Sequence, residues 1–340
     1  MRKKIDSIAG TGDLGYDGDG GLAIDSMLNS PFHVELDPNE EFLFIADCFN
    51  FVIRRVDLAT RIISTIAGTG HSGSSGDGGL AVNATIDEIY AIQLDHKGNL
   101  YLLQRLIPCI RKMDLSTGVI QTIAGTGISG YSGDNGLAVQ ATMREPNDCV
   151  LDGHGGLLVA DVQDQRIRKI DLDSGVITTF AGTGEKAHLG DGHHARDAAL
   201  HGARAVCVDT KGNTYLCERE GNTLRKIDPD GKISTVAGTG EKGYEGDGGP
   251  AVSATLNGPK AIRCDLEGNV FIVDTENHAI RKLDVNSGIL TTVSGGREGT
   301  EGDGGDPILS GMGRPHGVVI DKSGGHYVAD TQNHRIRYIG

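Results

Sequence analysis

Tryptophan is missing from this 340-residue chain, and the remaining aromatics are few: 8 Tyr and 7 Phe. Interaction surfaces are enriched in Tyr, Trp and Phe, so the shortage argues against a broad aromatic docking face. Long hydrophobic runs are absent too. No stretch of about 18 apolar residues occurs, so no helix is expected to span a bilayer. The opening Met1-Arg2-Lys3-Lys4-Ile5-Asp6 has basic residues with no apolar segment behind them and does not read as a secretory leader. Cysteine spacing is uninformative: Cys48, Cys109, Cys149, Cys207, Cys217 and Cys264 form no C-x-x-C pair. In a chain of this size they read as reduced thiols, which points to the cytoplasm. Basic charge is in deficit, 32 Lys and Arg against 46 Asp and Glu, for a formal net charge of -14. That balance argues against nucleic acid and anionic membranes as partners.

What is abundant is glycine, at 52 residues, and it recurs in register. Ala-Gly-Thr-Gly stands at Ala9–Gly12, Ala67–Gly70, Ala124–Gly127, Ala181–Gly184 and Ala237–Gly240, with a worn copy at Ser294-Gly295-Gly296. The spacing is 56 to 58 residues, so residues 1–340 read as one domain of six repeats. One copy contains four short runs of β-formers: Ala261–Asp265, Val270–Asp274, Ala279–Asp284 and Ile289–Val293, separated by Gly, Asn and Asp turns. Four antiparallel strands repeated radially six times predict an all-β, six-bladed propeller. The chain ends on a third strand, Arg335–Ile339, and begins on an orphan fourth, Ile5–Ala9. The N-terminal strand is therefore expected to close the last blade and remove an open edge.

The run Asn269-Val270-Phe271-Ile272-Val273-Asp274-Thr275-Glu276-Asn277-His278-Ala279-Ile280-Arg281-Lys282 resembles the NHL repeat, as does Tyr327–Arg337. The resemblance extends over essentially the full chain. It implies the propeller fold but leaves function open, because NHL-type propellers include scaffolds, sensor domains and enzymes such as the peptidyl-hydroxyglycine amidating lyase. That lyase places His ligands from separate blades at its channel, which implies a divalent-metal arrangement to look for here. His33, His201 and His316 are the residues that would imitate it. Their columns differ, so no metal is assigned and no cofactor is required by the sequence.

Two repeated features read as template. Glycine loops such as Gly243–Ala251 precede each blade, and their Asp is expected to cap the short turn that follows. The alternative, a calcium or anion loop, fits poorly with six near-identical copies. These loops are expected to wall the mouth of the channel. The recurring basic pair on strand three (Arg54-Arg55, Arg111-Lys112, Arg168-Lys169, Arg225-Lys226, Arg281-Lys282) is expected to pair with template Asp at the surface, where each pair is worth little.

Function is sought where the copies disagree. The position after the residue that opens strand one, a Pro in four copies, is Phe32, Tyr90, Asn147, Arg204, Lys260 and His316, six residue types in six copies. The next position is normally Ala or Gly but holds His33 and Asp148. The Asp that closes strand two is replaced by Gln104-Arg105 and by Glu218-Arg219, and the loop before strand one adds Asp87, Arg144 and His201. These columns should meet at one mouth of the channel. Arg105, Arg204, Arg219 and Lys260, with Asn147, His201 and Phe32, would bind a small anion, since guanidinium groups grip carboxylate or phosphate in bidentate fashion. His316 and Tyr90 would transfer protons, and Glu218 or Asp148 would orient them or act as base. Cys48, beside Asp47 and near His33, is a weaker nucleophile candidate. The competing account is a salt-bridge plug in which these charges pair with one another.

The leading expectation is a monomeric enzyme, a lyase or hydrolase acting on a small anionic substrate. The alternative is a non-catalytic scaffold binding a peptide, protein or glycan on the same face.

Overall fold

The structure, a computed structural model, describes residues 3–340. Six antiparallel sheets are arranged around an axis, each formed by one repeat. In blade one the strands are Pro31–Leu36, Phe42–Asp47, Val52–Asp57 and Ile63–Ala67, hydrogen-bonded in that order from the axis outward. The innermost strands of the later blades are Ile89–Leu94, Pro146–Leu151, Ala203–Val208, Ala261–Cys264 and Gly317–Ile320. Blade six is completed by Ile5–Ala9, which pairs Ile5 with Ile339, Asp6 with Tyr338 and Ser7 with Arg337. The expected ring closure is therefore present. No helix among the described residues is long and apolar enough to cross a membrane.

The cores lie between blades. Phe44, Ala46 and Ile53 of blade one pack against Ala81, Ala84, Ile86 and Ile92 of the next unit, all buried. The recurrent Ala residues sit where two sheets converge, where a larger side chain has no room.

Two expectations are corrected. The Asp of the repeated loop string does not cap the turns: in blade one the residue at that cap is Leu22, with no side-chain bond, and in blade six it is a further loop residue, Asp306, that accepts the Ile308 amide there. Instead each carboxylate reaches the strand-three Arg of its own repeat, as in Arg111–Asp77 at 2.6 Å and Arg281–Asp247 at 2.7 Å. Those Arg residues are not at the surface. Arg54, Arg111, Arg168, Arg225, Arg281 and Arg337 are all fully buried. In four blades the carboxylate that closes strand two lies on the other side of the guanidinium: Asp47, Glu218, Asp274 and Asp330. The pairs are therefore internal struts, in a setting where loss of one partner is costly.

The glycine loops do not wall the mouth either. Each runs back along the outer strand of the blade it precedes, as when Gly20 N–H donates to Ile63 O and Ala23 N–H to Arg61 O. In blades three and five the contact is regular enough to form a short fifth strand, Gly136–Leu137 and Gly249–Pro250. They shield the outer edges, which would otherwise present unpaired backbone groups.

Candidate functional site at the channel mouth

A β-bulge sets the site. In blades one to four the pairing of strands one and two slips at the variable position: Pro31 pairs with Asp47 but His33 with Ala46, leaving Phe32 unpaired. The same slip isolates Tyr90, Asn147 and Arg204. A bulge re-aims the extra side chain, which is why successive residues such as Phe32 and His33 both serve the axis.

Deeper in the channel lies a salt-bridged brace, built around a residue that sequence reasoning missed. Arg263 of blade five crosses the axis and grips Asp148 of blade three with both terminal nitrogens, each at 3.1 Å. It also meets the His33 ring of blade one. Asp148 accepts the Val206 amide at 3.1 Å as well, which ties in blade four. Burial, then the Arg263 and Arg204 charges, hold His33 well below the usual imidazole range, so it is neutral. Asp148 is 2% exposed and fully engaged in this brace, not free to act as a base at the mouth. A signal was available: the Arg263 column reads Glu35, Gln93, Val150, Cys207, Arg263 and Val319.

Above the brace the rings of Phe32 and Tyr90 stack at 4.6 Å, and the His316 ring lies 4.4 Å from Phe32. Two guanidinium groups flank Tyr90, Arg105 at 4.7 Å and Arg204 at 5.4 Å from the ring centre. Lys260 Nζ stands 3.3 Å from His316 Nε2, and His316 Nδ1 lies 2.8 Å from Arg314 O. The carbonyl can only accept, so Nδ1 carries the proton and Nε2 receives the Lys260 N–H. Burial beside Lys260 and Arg204 keeps His316 neutral, well below its usual range. Burial lowers Lys260 to about 8, with Glu276 opposing and Arg314 and Arg204 reinforcing the shift. Burial also raises the Tyr90 hydroxyl.

Most of the mouth's cations are already matched. Arg105 pairs with Glu88 at 2.7 Å and Glu145 at 3.2 Å. Arg219 pairs with Glu220, Lys260 with Glu276 at 3.1 Å, and Arg314 with the same Glu276. Arg204 differs: 3% exposed, it has no carboxylate partner among the described residues and bonds only the Asn147 carbonyl at 3.2 Å. The Asn147 side chain gives its amide to Glu145 O, while its buried Oδ1 finds no protein donor.

The remaining candidates lie elsewhere. Glu218 is fully buried and turned to His188, Thr223 and Arg225, and His201 donates its backbone amide to it at 2.8 Å. His201 lines a separate pocket in blade four, and Glu218 is buried behind the His188 and Thr223 of its wall. Asp87 accepts the Ser72 hydroxyl and the Ile107 amide, replacing the closing carboxylate that blade two lost to Gln104. Cys48 is buried, and burial with the nearby Glu88 and Asp47 charges drives its thiol well above the usual range, unsuited to a nucleophile. The three histidines considered for a metal are dispersed, and no group of three or more His, Cys, Asp or Glu suited to an ion occurs among the described residues.

A closed ring of this kind, with a polar cluster at one end of its axis, defines a β-propeller of six four-stranded blades. Two family models match parts of this propeller: residues 181–245 match the Teneurin NHL domain and residues 312–337 the NHL repeat. It is 26% identical over 299 residues to Protein SUPPRESSOR OF QUENCHING 1, chloroplastic, of Arabidopsis thaliana, covering 84% of this chain and 27% of that one. It is 27% identical to NHL repeat-containing protein 2 of Bos taurus, covering 78% of this chain and 40% of that one. The chain thus spans well under half the length of these relatives. Among solved structures, a catalytically inactive virginiamycin B lyase from Staphylococcus aureus with quinupristin superposes with a TM-score of 0.58 at 13% identity, covering 99% of both chains. An auxiliary nutrient binding protein from Bacteroides ovatus gives 0.69 at 15% identity, covering all of this chain and 76% of that one. Enzymes and binding proteins therefore share this fold.

Proposed function

We propose that the channel mouth binds a small molecule carrying one anionic group and acts on it as a lyase or hydrolase. The observation that carries this reading is Arg204, a buried guanidinium with no counter-carboxylate beside an orphaned Asn147 Oδ1. A buried unpaired charge is costly unless a ligand completes it. Tyr90 and Phe32 offer a ring platform for the body of that ligand. Lys260 and His316 supply proton transfer: an amine lowered to about 8 gives up its proton near neutral pH, and His316 Nε2 holds it in place. Arg105 and Arg219, neutralised by Glu88 and Glu220, position the rim and do not contribute net charge. That one structural neighbour is a lyase agrees with the reading at the level of fold alone.

The scaffold reading has one observation in its favour. Phe49 and Leu106, in matching turns of blades one and two, are 41% and 58% exposed on the same rim.

A thermal-shift screen of anionic metabolites separates the two. A ligand at about 100 times its Kd adds roughly 2.7 kcal/mol, a rise of a few degrees in Tm. Stabilisation by a chemically related set, lost in R204M, supports the small-anion site. No stabilisation by any anion, with R204M more stable than the wild type, makes the peptide or glycan scaffold the better account.

A further inference from the structure

Blade four departs from the template at a second place, away from the mouth. In blades one, five and six the carboxylate that closes strand two takes a hydrogen bond from a template Asn: Asn50, Asn277 and Asn333. Blade four has Gly221 at that position, and a Cβ there would stand 3.0 Å from Glu218 Cβ. Gly221 lines a cavity of about 600 Å³ together with His188, His201, Glu220, Thr223, Thr235 and the Gly238–Gly240 backbone.

The imidazole of His188 takes the place of the lost Asn on Glu218. In blades one, three and five the position of His188 holds Tyr16, Tyr131 or Tyr244, each in contact with a strand-four Thr. In blade four the histidine keeps that contact, with Nε2 3.0 Å from Thr235 Oγ1. Thr223, where other blades have Val52, Cys109, Arg166, Ala279 or Arg335, donates its hydroxyl to Glu218 at 2.6 Å. His188, Thr223 and Arg225 together hold the buried Glu218 below the usual carboxylate range, and hence ionised.

We infer that Thr235, His188 and Glu218 form an acyl-transfer triad for small esters. An ionised Glu218 can only accept, so it takes the His188 Nδ1–H, and in that tautomer Nε2 is the acceptor facing the Thr235 hydroxyl. Thr235 Oγ1 attacks the ester carbonyl carbon, its proton passes to His188 Nε2, and the departing alcohol takes that proton. Water then repeats the sequence on the acyl-threonine and releases the carboxylic acid. Gly221, Gly238 and Gly240 suit a compact acyl group, and the unpartnered Glu220 Oε2 disfavours an anionic substrate. The site differs from the mouth in residues and in preferred charge, so either reading stands or falls alone.

The test is hydrolysis of p-nitrophenyl acetate by wild type, H188Y and T235V, with Tm recorded for each. H188Y restores the residue of three other blades, so it should keep its Tm while the rate falls about 100-fold or more. T235V should lose a similar factor, T235S should retain activity, and a fluorophosphonate probe should add its mass to Thr235. Equal rates in wild type and a folded H188Y, or labelling that avoids Thr235, would overturn the triad. If H188Y unfolds, the T235V and T235S pair decides in the same way.

Discussion

Arg281 illustrates how a template residue acts in this ring. Its guanidinium is fully buried between Asp247 and Asp274 and also donates to the carbonyls of Thr255 and Glu245. Burial already raises Asp274 to about 6 with the arginine in place. R281M should therefore cost about 3–5 kcal/mol in urea denaturation, because it strands buried carboxylate rather than removing a surface pair. A change within ~1 kcal/mol would return the pair to the surface class. Glu35 makes a different kind of prediction. Half-buried at the far end of the channel, its carboxyl is raised from 4.5 to about 8 by desolvation, opposed by Arg263 and reinforced by Asp148. Between those values the folded protein keeps a proton that the unfolded chain releases, so stability falls as pH rises across that window. E35Q should flatten this part of the stability profile, and an unchanged slope would mean that water in the channel solvates the carboxylate fully.

The strands were legible in the sequence; the loops were not. Alternating β-formers between Gly and Asn turns gave every blade, and the displaced strand Ile5–Ala9 gave the closure. A chain lacking residues 1–9 should expose the Arg335–Ile339 edge and elute as larger species on size exclusion than the intact chain does. If the shortened chain elutes like the intact one with an unchanged Tm, the closing strand is dispensable. The glycine loops misled because Asp before a short turn signals a cap equally well whether or not a buried Arg competes for it. Only the fold places Asp247 beside Arg281 and lays the loop along strand four. The site was partly legible for a similar reason. Comparing copies found Arg204, Lys260, His316 and Tyr90, because the variable column they share at the start of strand one is a local property. It passed over Arg263 and His188, whose roles depend on partners 115 and 30 residues away. It also grouped Glu218 with the mouth, although that residue does the work of the template Asp and faces the other way.

At the scale of the whole molecule, the repeats share cores with both neighbours, and a brace from Arg263 to His33 and Asp148 ties blades one, three and five across the axis. We expect the ring to unfold as one unit: calorimetry should give a single transition whose calorimetric and van't Hoff enthalpies agree, and two resolved transitions would divide it into domains. The brace also separates the mouth from the opposite end of the channel, where a depression of about 870 Å³ is lined by Glu35, Gln93 and Val319. The central claim is that the mouth above it recognises an anion through the unpaired Arg204. The direct measurement is calorimetric titration of the most stabilising anion from the screen into wild type and R204M. A charge-assisted hydrogen bond contributes about 1.5–3 kcal/mol, so R204M should bind about tenfold to a hundredfold more weakly while keeping its fold. Equal affinity in the two proteins would contradict the account and move the ligand away from the channel mouth.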